Sequence, residues 1–275
     1  MKQLRILRII LAILFLGASV GALIMGSEAH TVAKVAERSQ ILLSAFSITA
    51  GATAVWLLLT LLFGRFYCST VCPVGTISDL AIRCRKFIPG LRHKTFRYRH
   101  PSRFSIHILW IYAACLIIGI VCVPFMIEPW NIMRNISSAL NPSAIQTTWL
   151  TIGLGSLTGI IGGILGLLLI IILSLLRGRE FCTSFCPVGI GLGYLSNHAL
   201  YHIEIDRDRC SSCGLCEEIC RSQCIKVVSR YVDNSRCVRC LDCLAKCPDN
   251  AIHLQINRNR PATPLLMRTK KRSNT

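Results

Sequence analysis

Sixteen cysteines in 275 residues define the chemistry open to this chain. Eight stand in two runs, "CSSCGLCEEIC" and "CVRCLDCLAKCP", which place Cys210, Cys213, Cys216 and Cys220 in one and Cys237, Cys240, Cys243 and Cys247 in the other. Both runs read C-x2-C-x2-C-x3-C, and the offset is 27 residues throughout. Thiolates are soft ligands that select zinc, cuprous ion and iron-sulfur clusters. A [4Fe-4S] cube needs four of them converging from different directions, which a tight loop of three and a remote fourth can supply. Structural zinc takes four ligands in a closed site of its own, a poor match for two long runs of this kind.

The spacing resembles that of bacterial two-cluster ferredoxins, and "CPDNAI" resembles their Cys-Pro-x-x-Ala-Ile ending. In such proteins the fourth cysteine of each run ligates the other cluster. The resemblance therefore implies cluster I on Cys210, Cys213, Cys216 and Cys247, and cluster II on Cys237, Cys240, Cys243 and Cys220. The first copy departs from the pattern as "CRSQCI": Arg221 replaces proline and Cys224 takes the alanine position. Cys224 reads as a small core residue, not a ligand. Arg221 is expected to place a positive charge beside a cluster and to raise its potential.

A second repeat carries four more cysteines. "GRFYCSTVCPVG" (64–75) returns as "GREFCTSFCPVG" (178–189), so Cys68 and Cys182, Cys72 and Cys186, and Pro73 and Pro187 all differ by 114. Proline cannot continue a preceding helix but suits the first turn of a new one, so Cys72 and Cys186 should each cap a fresh helix, whose positive end favours a thiolate. In "TISDLAIRCRKF", Ile77, Leu80, Ala81, Cys84 and Phe87 recur at helical spacing among charges, as in a helix lying on lipid headgroups. Cys68, Cys72, Cys182 and Cys186 are candidate ligands of a further metal or iron-sulfur site. Redox-active dithiols and purely structural cysteines are the alternatives.

These motifs need something to position them. Mean hydropathy is +0.53, and hydrophobic residues make up 52% of the chain against 16% charged, which argues against a water-soluble globule. Four apolar stretches are long enough to cross a bilayer: Ile9 to Met25, Ile41 to Phe63, Phe104 to Phe125 and Trp149 to Leu176. The first follows Lys2, Arg5 and Arg8 as a signal peptide would, but it is long for one and lacks a small-residue cleavage site, so it is read as a retained helix. The segment from Gly64 to Arg103 holds nine Lys or Arg against Asp79 alone, and the connections 27–40 and 127–148 are nearly neutral. By the positive-inside rule both termini and the middle loop face the cytoplasm, with Trp130 and Trp149 at the outer interface. Cysteines on that side stay reduced, which excludes a disulfide framework. Because each half crosses twice, the two halves form parallel repeats, and the four Cys-x3-Cys-Pro cysteines should meet around the repeat axis.

The net charge of +18 sits mostly in membrane-adjacent loops and in the tail "RTKKRSNT", where each Lys or Arg gains about 1 kcal/mol from anionic headgroups. Lipid, not nucleic acid, is the expected partner of that charge. His107 is the sole intramembrane histidine and there is no C-x2-C-H, so no haem is expected. His107, Trp110 and Glu128 are candidate quinone contacts, though such residues more often serve as interfacial anchors. Cys115 and Cys122 share one helical face as small apolar residues. Gly155, Gly159 and Gly163, and Gly17 and Gly21, mark faces for close helix packing, within the bundle or between copies in an oligomer.

The fold class that follows is a membrane all-α four-helix bundle, a parallel two-hairpin repeat, over residues 1–200. A C-terminal α+β two-[4Fe-4S] ferredoxin domain follows over 201–257, and then a basic tail over 258–275. With its paired "CSTVCP" and "CTSFCP" motifs, the chain resembles membrane polyferredoxins of the NapH/NosR type. The resemblance implies quinol oxidation and electron delivery in periplasmic nitrate and nitrous-oxide reduction. A related branch, the polyferredoxins of cytochrome oxidase maturation, resembles a cupric reductase. The large periplasmic flavin-binding extension of NosR-like members has no counterpart between these helices, so covalent FMN is not expected. The function expected is membrane-bound single-electron transfer in the bacterial inner membrane, between a cytoplasmic or quinol donor and a membrane or cytoplasmic redox protein. Metal-ion (cupric) reduction at the Cys-x3-Cys-Pro cysteines and a non-catalytic assembly or redox-sensing role are the alternatives.

Overall fold

The computed structural model describes residues 2–25, 50–92, 95–101, 104–118, 132–133, 136 and 157–256. A helical amino-terminal region comprises α1 (Lys2–Met25), α2 (Ala50–Phe63), the single turn α3 (Tyr67–Thr70), α4 (Pro73–Cys84), α5 (Phe104–Ile118), α6 (Leu157–Arg177) and α7 (Pro187–Ser196). The ferredoxin-type module follows as β1 (Tyr201–Ile205), α8 (Leu215–Ile219), β2 (Ile225–Lys226), β3 (Tyr231–Val232), α9 (Asp242–Lys246) and β4 (Ile252–Ile256). Its strands pair as two antiparallel ribbons: β1 with β4, Tyr201 opposite Ile256 and Ile205 opposite Ile252, and β2 with β3, Ile225 opposite Val232. Ile203, Ile205, Ile225, Val232 and Ile252 close the module's core around its cysteines.

The 114-residue repeat is visible in the packing. Helices α2 and α6 both end on a left-handed glycine, Gly64 at φ +77° and Gly178 at φ +71°. Both α4 and α7 then start on a proline. Helix α4 packs against α1, the first helix of its own half, and against α6, the second helix of the other. Helix α7 does the same with α5 and α2. The halves are thus interleaved, and each post-motif helix closes a gap that its own hairpin leaves open.

Among the described residues, one helix segment, Gln3–Gly21, is long and apolar enough to cross a membrane. Only 17% of it is buried, unlike a soluble core helix, although it lies near the N-terminus as a signal sequence would. The apolar parts of α2, α5 and α6 (Thr53–Phe63, Phe104–Cys115 and Ile161–Arg177) are shorter, and the stretches expected to extend them fall partly outside the described residues. Leu14, Leu58, Ile117 and Leu165 all point outward. Helix α4 shows the amphipathic stripe foreseen, turned outward: Leu80 and the following Phe87 are exposed, whereas Ser78, Asp79 and Ile82 face the interior.

Candidate functional site

In the ferredoxin-type module the 27-residue repeat extends to the backbone. Ser212 and Arg239, Gly214 and Leu241, and Gln223 and Asn250 are equivalent pairs, and all six residues have positive φ. Left-handed backbone costs an ordinary L-residue roughly 1–2 kcal/mol, so repetition at a leucine and an arginine marks loops curled around a common object. Two cavities lie inside these loops. One is lined by Cys210, Cys213, Cys216 and Cys247. The other is lined by Cys220, Cys237, Cys240 and Cys243, with Cys224 as a further cysteine in its wall. Each takes three cysteines of the runs from one copy and the fourth from the other. Among the described residues no three His, Cys, Asp or Glu side chains converge on one point as a single ion requires. Four sulfurs set around a common cavity fit a polynuclear cluster instead. Cys213 is exposed and opens the first cavity to solvent, whereas Cys220, Cys237 and Cys243 are buried.

Cys224 is buried in the core, and its Sγ lies 3.4 Å from Cys220 Sγ. Its sulfur contacts with Cys220 and Cys237 pull those two thiols down and push its own up.

The four Cys-x3-Cys-Pro cysteines lie in one buried cluster with Tyr67, Val71, Val74, Phe181, Leu192 and Val238, and Cys240 of the second cavity packs against it. Cys72 and Cys186 have matching extended backbones at the N-caps of α4 and α7, and Cys186 Sγ accepts from Gly189 N at 3.4 Å. Gly75 and Gly189 make this fold-back possible: a Cβ would lie 2.2 Å from the Cys68 carbonyl oxygen in one and 2.0 Å from that of Cys182 in the other. Burial raises the Cys72, Cys182 and Cys186 thiols and outweighs the helix-end hydrogen bonds at Cys72 and Cys186.

Two arginines, also 114 apart, clasp the halves together. Arg65 and Arg179 are each 1% exposed. Arg65 Nη2 donates to the Cys182 carbonyl at 2.7 Å, and Arg179 Nη1 donates to the Cys68 carbonyl at 2.9 Å. Arg179 also donates from Nη2 to the Gly75 carbonyl and from Nε to Asp79 Oδ1 at 2.8 Å. Burial opposes the Asp79 charge, but Arg179, Arg221 and Arg8 more than offset it and hold the carboxyl well below the usual carboxylate range.

Arg221 lies 2.9 Å from Asp79 Oδ1 and 2.7 Å from Asp242 Oδ2, as ion contacts not aligned as hydrogen bonds. Asp242 also meets Arg5, and Asp79 meets Arg8. The positive charge expected at Arg221 thus stands in an ion network: it shares Asp79 with Arg179 and Arg8 and Asp242 with Arg5, and through Asp79 it pins the module to α4. The Arg221 carbonyl in turn accepts from Arg179 N at 2.9 Å, against Gly178, where a Cβ would come within 2.4 Å. Sequence reasoning assigned no role to Arg65 or Arg179, although their shared offset was a signal for both.

His107 and Trp110 lie exposed on α5, while Glu128, Cys122 and Gly155 fall outside the described residues. Among the described residues nothing lies within 4 Å of a Cβ position at Gly17 or Gly21.

A 4Fe-4S binding domain of one type matches residues 45–92 and 160–198, covering both copies of the Cys-x3-Cys-Pro motif. A second type of 4Fe-4S binding domain matches 203–226 and 230–253. An uncharacterized protein of Methanocaldococcus jannaschii is 25% identical over 205 residues, 72% of this chain and 75% of that protein. The ferredoxin-type protein NapH of Escherichia coli is 26% identical over 205 residues, 70% of this chain and 63% of NapH. The methylamine utilization ferredoxin-type protein MauN of Paracoccus denitrificans is 26% identical over 194 residues, 70% of this chain and 61% of MauN. The chain is similar to the NapH-type polyferredoxins. The matched region spans less than two thirds of NapH and of MauN. No solved structure matches the chain. Its two types of 4Fe-4S binding domain mark the chain as an iron-sulfur protein of ferredoxin type.

Proposed function

We propose that this chain is a multi-pass carrier of single electrons in the bacterial inner membrane, with both termini and the ferredoxin domain cytoplasmic. It would hold two [4Fe-4S] clusters on the cysteines lining the two cavities and a further metal or iron-sulfur centre on Cys68, Cys72, Cys182 and Cys186. The observation that carries this reading is the packing of Cys240 into the same buried core as those four cysteines, which makes the second cavity and the quartet neighbours. When bound, the iron-sulfur clusters supply reversible one-electron chemistry without making or breaking bonds to a substrate. The chain's own residues do the rest. Cys213 exposes one end of the series to a docking partner, the module's aliphatic core keeps water from the second cavity, and the buried quartet leads toward the helices.

Burial of the quartet weighs against thiol exchange, which needs an attacking partner to reach sulfur. The outward apolar faces of α1, α2, α5 and α6 support membrane insertion. Arg5 and Arg8 at the start of α1 meet Asp242 and Asp79, which supports a single side for the N-terminus, the helix exits and the module. MauN is named for methylamine utilization, and NapH-like proteins resemble partners of quinol oxidation, so a quinone or a membrane redox protein is the partner class to test.

Anaerobic EPR on detergent-purified chain, during stepwise addition of quinol, dithionite and Cu(II), tests the proposal. Two interacting cluster signals should fill with dithionite, and any that quinol fills identifies the donor class. Reoxidation by Cu(II), with cuprous ion retained, favours metal-ion reduction at the quartet. Colourless, iron-free protein sinks the proposal, as does labelling of the module from the outer face.

A further inference from the structure

The two buried arginines of the helical repeat are equivalent in position but not in company. All three guanidinium nitrogens of Arg179 find partners, and Asp79 forms an ion pair with it. Arg65 has only carbonyls: Cys182 O at 2.7 Å from Nη2 and Ser235 O at 3.2 Å from Nη1. Among the described residues its Nε has no hydrogen-bond partner and no carboxylate lies within ion-pair distance.

The difference traces to one position. The residue 114 beyond Asp79 is Gly193, and a Cβ there would lie 2.8 Å from Ser235 O and 3.5 Å from Arg65 Nη1. The module's loop therefore occupies the place where a second aspartate would stand. Arg239 adds a further buried guanidinium nearby. It donates from Nη2 to Tyr201 O at 2.7 Å, has no partner at Nε or Nη1, and sits against Gly64, the residue before Arg65.

Uncompensated buried cations are costly, so they persist where some other charge answers them. Arg65 spans the two places where that charge arises. Cys182 belongs to the quartet, and Ser235 is two residues before Cys237 of the second cavity. Four thiolates outweigh the positive charge of an iron-sulfur core, so a loaded centre is anionic, and more so once reduced.

We propose that Arg65 is a positioning residue whose unpaired charge is the counter-ion of the two cysteine-bound centres on either side of it, favouring their reduced states. Arg179, ion-paired with Asp79, holds the fold with its charge partly answered inside the protein. The quartet half of the proposal rests on the function proposed above, whereas the half concerning the second cavity does not.

Redox titration of the full chain, followed by EPR with iron counted per chain, tests both halves. Arg65→Gln should lower the midpoint of the second-cavity cluster, identified by its absence in Cys243→Ala. The fall should be about 59 mV for one electron, which is about a tenfold rise in the oxidised-to-reduced ratio at a fixed potential. Arg65→Lys, which keeps the charge, should recover most of the fall. An Arg65→Gln midpoint equal to wild type with iron intact overturns the proposal. If Arg65→Gln loses iron, Asp79→Asn decides in its place: it unmasks Arg179 and should raise the midpoint of the quartet centre, and an unmoved midpoint overturns the proposal. A wild-type chain with no metal at the quartet would instead sink the quartet reading and leave the second-cavity result to judge Arg65.

Discussion

The two internal repeats of this molecule are tied together in different currencies. In the ferredoxin-type module, copies 27 residues apart exchange a cysteine: Cys247 lines the first copy's cavity and Cys220 the second's. In the helical region, copies 114 residues apart exchange a guanidinium: Arg65 reaches the second copy's motif and Arg179 the first's. In both, no half is complete alone. The module keeps its symmetry, down to matching left-handed residues. The helical repeat breaks its symmetry at Asp79 and Gly193, where the module docks. Docking one asymmetric body onto a two-fold scaffold forces that choice, because only one half can offer its carboxylate to Arg221.

The largest expected effect bears on the cysteine exchange. Cys247→Ala should empty the first cavity while sparing the second, and Cys220→Ala should do the reverse, each removing about half of the module's iron. Iron and sulfide analysis with EPR of both variants checks this. If each substitution emptied the cavity of its own run, the halves would not be interlocked.

Next come the arginines as structural members. Arg179→Met leaves Asp79 with two cations instead of three and abandons the Cys68 and Gly75 carbonyls, a loss of about 3 kcal/mol. Arg65→Met abandons two carbonyls but orphans no carboxylate, so it should cost roughly 1 kcal/mol. Thermal unfolding in detergent, monitored by the cluster absorbance, should rank them in that order. Equal losses would mean that Asp79 adds nothing to the first arginine.

Asp79 also makes the comparison depend on pH. Its carboxyl is held below its unfolded value, so the stability it contributes is complete above about pH 4 and fades as pH falls through the depressed value. Asp79→Asn should flatten the acid limb of a melting-temperature profile, and an unchanged limb would assign the acid sensitivity to other carboxylates.

Some of this was legible in the sequence for a physical reason: ligand chemistry imposes spacing. The cysteine runs, their offset and the proline-started helices all follow from what thiolates and proline can do locally. The arginines were not legible. Arg5, Arg8, Arg65 and Arg179 sit beside apolar stretches, where positive charge ordinarily meets headgroups, and nothing local distinguishes a solvated guanidinium from one buried against a partner a hundred residues away. Arg221 was noticed for its charge, but the two carboxylates that pair with it are set by docking, which no local pattern encodes. Gly75 and Gly189 were visible only as part of a repeated string. Their function, admitting a carbonyl where a Cβ would stand, belongs to the folded turn.

The smallest expected effect concerns Arg221. Because Arg221 is paired with Asp79 and Asp242, Arg221→Gln removes one positive charge but leaves two carboxylates that Arg179, Arg8 and Arg5 still hold. The net change seen from the second cavity is therefore spread over a network and opposed by it. The cluster midpoint should move far less than in Arg65→Gln, while the module's grip on α4 loosens and protease cutting between α7 and β1 quickens. A midpoint shift in Arg221→Gln as large as that of Arg65→Gln would mean that charge beside the cluster counts whether paired or not. The contrast between the two halves would then lose its electrostatic meaning.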